Sequence, residues 1–144
     1  MIGFGAFAVW KMMPHPLSKE LELALRLSEN SQKEVVDKLQ RIRAIDALLP
    51  HDDPRKDHLA RQQERLLNLD EMYRDIERLE TLLRGTAGAT GEPGGAAKLV
   101  SDAENVYDLL RGFRSAIEGD DPTAILLEKK GQSILSDIKD RVGR

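Results

Sequence analysis

Apolar residues recur at spacings of three and four along most of this sequence. Leucine occurs 21 times among 144 residues, and 33% of the residues are charged. This spacing places apolar side chains on one face of an α-helix and leaves the other face charged. Only six residues are aromatic and few are β-branched, whereas the buried strand faces of an all-β domain use many of both. The sequence therefore predicts an all-α protein.

Local signals divide the apolar pattern into separate helices. Pro14 and Pro16 favour an extended or turning backbone, which sets the N-terminus apart from the helical sequence that follows. Within residues 17–49, a run of seven polar residues interrupts the pattern, and Ser31 and Glu34 have the spacing of a capping box. Residues 17–49 are therefore expected to form either one kinked helix or two helices.

Two Asp-Asp-Pro triplets, at residues 52–54 and 120–122, predict turns between helices, because aspartate caps a helix and proline suits its first turn. Residues 85–97 contain five glycines and one proline, which favour neither helix nor strand and indicate a flexible linker. We expect two antiparallel helical hairpins, packed as a bundle or partly as a coiled coil. The predicted segments are an apolar N-terminal segment (1–16), the first hairpin (17–84), the linker (85–97) and the second hairpin (98–144).

The first thirteen residues are apolar apart from Lys11, and they include three of the six aromatic residues, Phe4, Phe7 and Trp10. As a helix they would be about 20 Å long, too short for a hydrocarbon layer of about 30 Å. No positive charge precedes the apolar stretch, so a secretory signal is not expected. Bulky apolar side chains need cover from water. A groove of a partner subunit, the chain's own helices and a membrane interface are three alternatives for that cover.

The composition argues against several kinds of chemistry. The chain has no cysteine, which removes disulfides and thiolate catalysis and is consistent with a reducing compartment. The net charge of −3 is evenly spread, so nucleic acid is not expected as a partner. Gly3, Gly5 and Ala8 have a dinucleotide-binding spacing, but such a fingerprint follows a strand, and we expect no strand before Gly3. We expect neither a cofactor nor a small-molecule substrate.

The densest set of potential metal ligands lies around the first Asp-Asp-Pro turn. Helix capping explains Asp53, a charge pair with Arg61 explains Asp57, and exposed turns are generally polar. No metal site is therefore expected there, and the absence of a nucleophile or carboxylate-pair pattern argues against an enzyme. The residues in this set are His51, Asp52, Asp53, Asp57 and His58.

These observations favour a non-enzymatic helical assembly or adaptor protein. It would self-associate or serve as a small structural subunit of a larger complex, such as a virion or phage particle, in the cytoplasm or within that particle. The alternative is a peripheral membrane protein that inserts residues 1–13 into a bilayer interface. A protein partner or a second copy is expected to contact the N-terminus and the exposed part of the stripe at 59–83. The predicted contact residues are Ile2, Phe4, Phe7, Trp10, Met13, Leu66, Tyr73, Ile76 and Leu83.

Overall fold

A computed structural model describes residues 17–89 and 91–143 of the chain. Helices account for 81% of the structure, and the described residues contain no strand, which confirms the all-α prediction. The six helices within these residues are α1 (Ser18–Leu25), α2 (Gln32–Leu48), α3 (Arg55–Arg84), α4 (Thr86–Ala89), α5 (Gly95–Ala116) and α6 (Pro122–Val142).

The chain divides into two compact units between Leu67 and Asn68, inside α3. We call the described residues before this division unit 1 and those after it unit 2. The sequence places a boundary instead at residues 85–97, because local composition marks segments rich in glycine, whereas compact units depend on which side chains share a core. The grouping into a first hairpin at 17–84 and a second at 98–144 stays a prediction.

In unit 1, residues 17–49 form two helices and not one kinked helix. The capping box predicted for α2 is present, since the Ser31 hydroxyl accepts a hydrogen bond from the Glu34 amide at 3.2 Å. The Glu34 carboxylate accepts one from the Asn30 amide at 2.8 Å. These bonds satisfy backbone donors at the start of α2. The core of unit 1 consists of side chains at most 5% exposed, namely Leu21, Ala24, Val35, Leu39, Ile42, Ile45, Leu49, Leu59 and Leu66.

The two Asp-Asp-Pro triplets precede helices, as the sequence predicts. Asp53 Oδ1 accepts a hydrogen bond from the Arg55 amide at 2.9 Å, and α3 begins at that arginine, one residue after the proline. In unit 2, Asp121 Oδ1 accepts one from the Ala124 amide at 3.1 Å, and Pro122 is the first residue of α6. Each aspartate thus satisfies an amide that would lack a partner in the first helical turn.

Unit 2 contains the second half of α3 together with α4, α5 and α6. A methyl group added at Gly131 of α6 would lie 3.0 Å from Leu110 Cδ1 and 3.4 Å from Ile76 Cδ1. The glycine therefore permits close packing of α6 against side chains of α5 and α3, which offsets its low helix propensity of about 1 kcal/mol relative to alanine. The core of unit 2 consists of Leu69, Met72, Ile76, Leu79, Ala103, Leu110, Ile117, Ala124, Leu127, Ile134, Leu135 and Ile138.

The glycine-rich segment is more helical than its composition suggests. Helix α4 lies within it, and α5 begins at Gly95, after Gly94 takes a left-handed backbone conformation with φ of 74°. The Thr86 hydroxyl donates a hydrogen bond to the Leu83 carbonyl at 2.9 Å, and this threonine is buried. The prediction that residues 85–97 favour no helix is therefore wrong at these positions, where alanines with high helix propensity lie between the glycines.

Candidate interaction surface

Unit 1 carries an apolar groove between α1 and α2, with a volume of about 310 Å³. Leu23 and Leu48 line it and are 55% and 67% exposed, whereas most other leucines of this unit are buried. Ile45, which is 4% exposed, belongs to both the groove and the core. The residues that line the groove are Glu20, Leu23, Arg41, Ala44, Ile45 and Leu48.

Helical periodicity brings these side chains together. Glu20 and Leu23 are three residues apart on α1, so they share one face of that helix. Arg41, Ala44 and Leu48 are separated by three and four residues on α2 and likewise share a face. The groove thus has apolar walls and one acidic and one basic side chain, which is the composition of a surface that binds an apolar segment.

The contact residues predicted from the sequence do not include those that line the groove, although the sequence contains a signal for them. Leu23 is out of phase with Leu21 and Ala24, whose side chains are buried. Leu48 occupies the last position of α2, next to buried Leu49. A large apolar residue outside the buried stripe of an amphipathic helix marks a surface that another element can cover.

The loop that joins α1 to α2 is held by a buried group of charges. The Glu29 carboxylate accepts hydrogen bonds from Lys38 Nζ at 2.7 Å and from both terminal nitrogens of Arg65, at 2.8 and 2.6 Å. Lys38 Nζ also donates to the Leu27 carbonyl at 3.0 Å. Because Lys38 lies in α2 and Arg65 in α3, these hydrogen bonds tie the loop to both α2 and α3.

The two cations determine the protonation of Glu29. Burial alone raises the pKa of this carboxyl, but hydrogen bonds from Arg65 and Lys38, together with their positive charges, outweigh it and hold the pKa below the ordinary value. The side chain of Glu29 is therefore an ionised carboxylate at neutral pH, and its charge compensates the buried ammonium of Lys38.

A second buried ion pair fixes the start of α1. Asp53 and Arg55 form a bidentate pair, with Nε to Oδ1 at 2.9 Å and Nη2 to Oδ2 at 2.6 Å. Arg55 Nη1 donates to the Ser18 hydroxyl at 2.8 Å. The hydrogen bonds that Arg55 donates to Asp53 raise the pKa of Arg55, against the opposing effect of burial. These contacts join the first residue of α1 to the first residue of α3 and so support one wall of the groove.

Unit 2 contains a buried acid with fewer contacts. Asp75 of α3 has a fully buried side chain, and its Oδ1 accepts a hydrogen bond from Arg78 Nη1 at 2.7 Å. Its Oδ2 is buried without a hydrogen-bond partner among the described residues. Burial raises the pKa of Asp75, although Arg78 opposes the shift. We interpret this buried oxygen as a local cost of folding in unit 2.

The predicted contact residues have different positions in the structure. Ile2, Phe4, Phe7, Trp10 and Met13 lie outside the described residues. Leu66 and Ile76 are 0% and 3% exposed, because the chain's own helices bury them, so they are not on the exposed part of the stripe. Tyr73 and Leu83 are half-buried, and their role in contact with a partner stays a prediction.

The five potential metal ligands are not arranged as one site. Asp53 is paired with Arg55, while His51 and Asp57 are exposed. Burial and the neighbouring charge of Arg61 lower the pKa of His58. No group of three or more histidine, aspartate or glutamate side chains in the described part of the chain is arranged to hold a metal ion.

No helix within residues 17–89 and 91–143 combines the length and apolar character needed to cross a membrane. Comparison with protein-family models, with curated proteins and with solved structures finds no match to this chain.

Proposed function

We propose that this protein is a non-enzymatic helical assembly or adaptor protein that docks through its apolar N-terminus, either to a second copy or within a larger complex. The observation that carries the proposal is the groove of unit 1, where Leu23 and Leu48 are more than half exposed. Full burial of one leucine side chain contributes about 1.5–3 kcal/mol, so covering the exposed halves of both contributes roughly that amount in total.

Contacts within each unit support the predicted hairpins. In unit 1, the Asp46 carboxylate of α2 accepts a hydrogen bond from Lys56 Nζ of α3 at 3.4 Å, close to the turn between the two helices. In unit 2, Arg114 approaches Glu128 at 3.7 Å and Lys139 approaches Glu104 at 3.4 Å. The later residue of α5 thus pairs with the earlier residue of α6, as in two antiparallel helices. Such hairpins present broad side-chain surfaces, which suits assembly by helix packing.

The environment of the buried charges supports a non-enzymatic role. Glu29 and Asp53 each engage a neighbouring cation and hold a loop or a helix start. Catalytic groups more often face a cleft where substrate can reach them. The groove of unit 1 instead has mainly apolar walls, and its two charged side chains, Glu20 and Arg41, line it beside the leucines.

The molar mass in solution, measured by light scattering, tests this proposal. We expect the full chain to associate and a full-length variant with Phe4→Ser, Phe7→Ser and Trp10→Ser to be monomeric with unchanged helix content. Three exposed leucines outside the groove provide the control, changed to serine together: Leu67, Leu109 and Leu126. A monomeric wild-type chain that also fails to join any complex would contradict the proposal.

The same variants separate protein docking from the membrane alternative. If residues 1–13 insert into a bilayer, the full chain floats with liposomes and the serine variant does not. Docking to protein predicts that neither chain floats with liposomes and that only the wild type associates.

A further inference from the structure

We draw no further inference here: the strongest candidate, the apolar groove between α1 and α2 lined by Leu23 and Leu48, is an unpartnered face, and nothing in the structure shows what covers it.

Discussion

Glu29 in unit 1 and Asp75 in unit 2 are acids whose side chains are largely removed from water, and only Glu29 has both carboxylate oxygens engaged. In unit 1, both carboxylate oxygens of Glu29 accept hydrogen bonds, from Lys38 and from Arg65. In unit 2, Asp75 is bonded through Oδ1 to Arg78, and its Oδ2 finds no hydrogen-bond partner within residues 17–89 and 91–143. The pKa of Glu29 is accordingly lowered, and that of Asp75 is raised.

This difference shows that burial does not by itself decide the contribution of a charge to stability. A buried carboxylate stabilises a fold when cations and hydrogen bonds replace the water it has lost, and it destabilises the fold when one oxygen stays without a partner. Unit 1, which carries the groove, thus has a loop held by charge pairs. Unit 2 retains a buried charge that its fold tolerates at a cost.

The largest expected effect on stability comes from removing the charge of Glu29, the acid with both oxygens engaged. Glu29→Gln removes the negative charge and leaves the ammonium of Lys38, 6% exposed, without its counterion. We expect the free energy of unfolding in urea to fall by about 3–5 kcal/mol, the usual range for one lost partner of a buried ion pair. Glu64→Gln, at an exposed position of α3 in the same unit, is the control and should change it by at most about 0.5 kcal/mol. Equal decreases of the free energy of unfolding in the two variants would show that the ion pairs of Glu29 do not stabilise unit 1.

Replacing Asp75, which has one oxygen without a partner among the described residues, is expected to raise the stability instead. Leucine has the same number of side-chain heavy atoms as aspartate, so Asp75→Leu replaces two buried oxygens with apolar groups of similar extent. Arg78 is 54% exposed and can return to water. We expect the free energy of unfolding to rise by about 1–3 kcal/mol, the usual penalty of an unsatisfied buried group. A loss of stability in urea unfolding would mean that Asp75 makes a favourable contribution to unit 2.

The smallest expected effects are changes of stability with pH, and they have opposite signs for Glu29 and Asp75. Because the folded-state pKa of Glu29 is lowered, its stabilising contribution is present above its ordinary value of 4.5 and is lost as the pH falls through the folded pKa. The folded-state pKa of Asp75 is raised, so its penalty is full above that pKa and disappears as the pH falls toward the ordinary value of 3.8.

Urea unfolding of both variants and the wild type between neutral and acidic pH measures these contributions. The stability difference between wild type and Glu29→Gln should shrink on acidification. The advantage of Asp75→Leu over the wild type should also shrink. If the advantage of Asp75→Leu stays constant across the range, the carboxyl does not titrate with a raised pKa, and the contrast between the two units is wrong.

Local features of this fold were predictable from the sequence, and tertiary ones were not. Ser31, Asp53 and Asp121 cap helices through contacts within three residues, so sequence spacing identifies them. Glu29 meets Arg65 across 36 positions, and no local pattern announces such a pair. The groove lies between these cases, because Leu23 and Leu48 depart from the buried stripe, but only the packing of α1 on α2 brings them together.

Photo-cross-linking from position 10 tests the central claim most directly. A benzophenone amino acid replaces Trp10, the single tryptophan, in a mixture of full-length chains labelled with light and heavy nitrogen. Self-association through the N-terminal segment predicts cross-links that join one light and one heavy chain. Cross-links confined to single chains would contradict self-association through this segment.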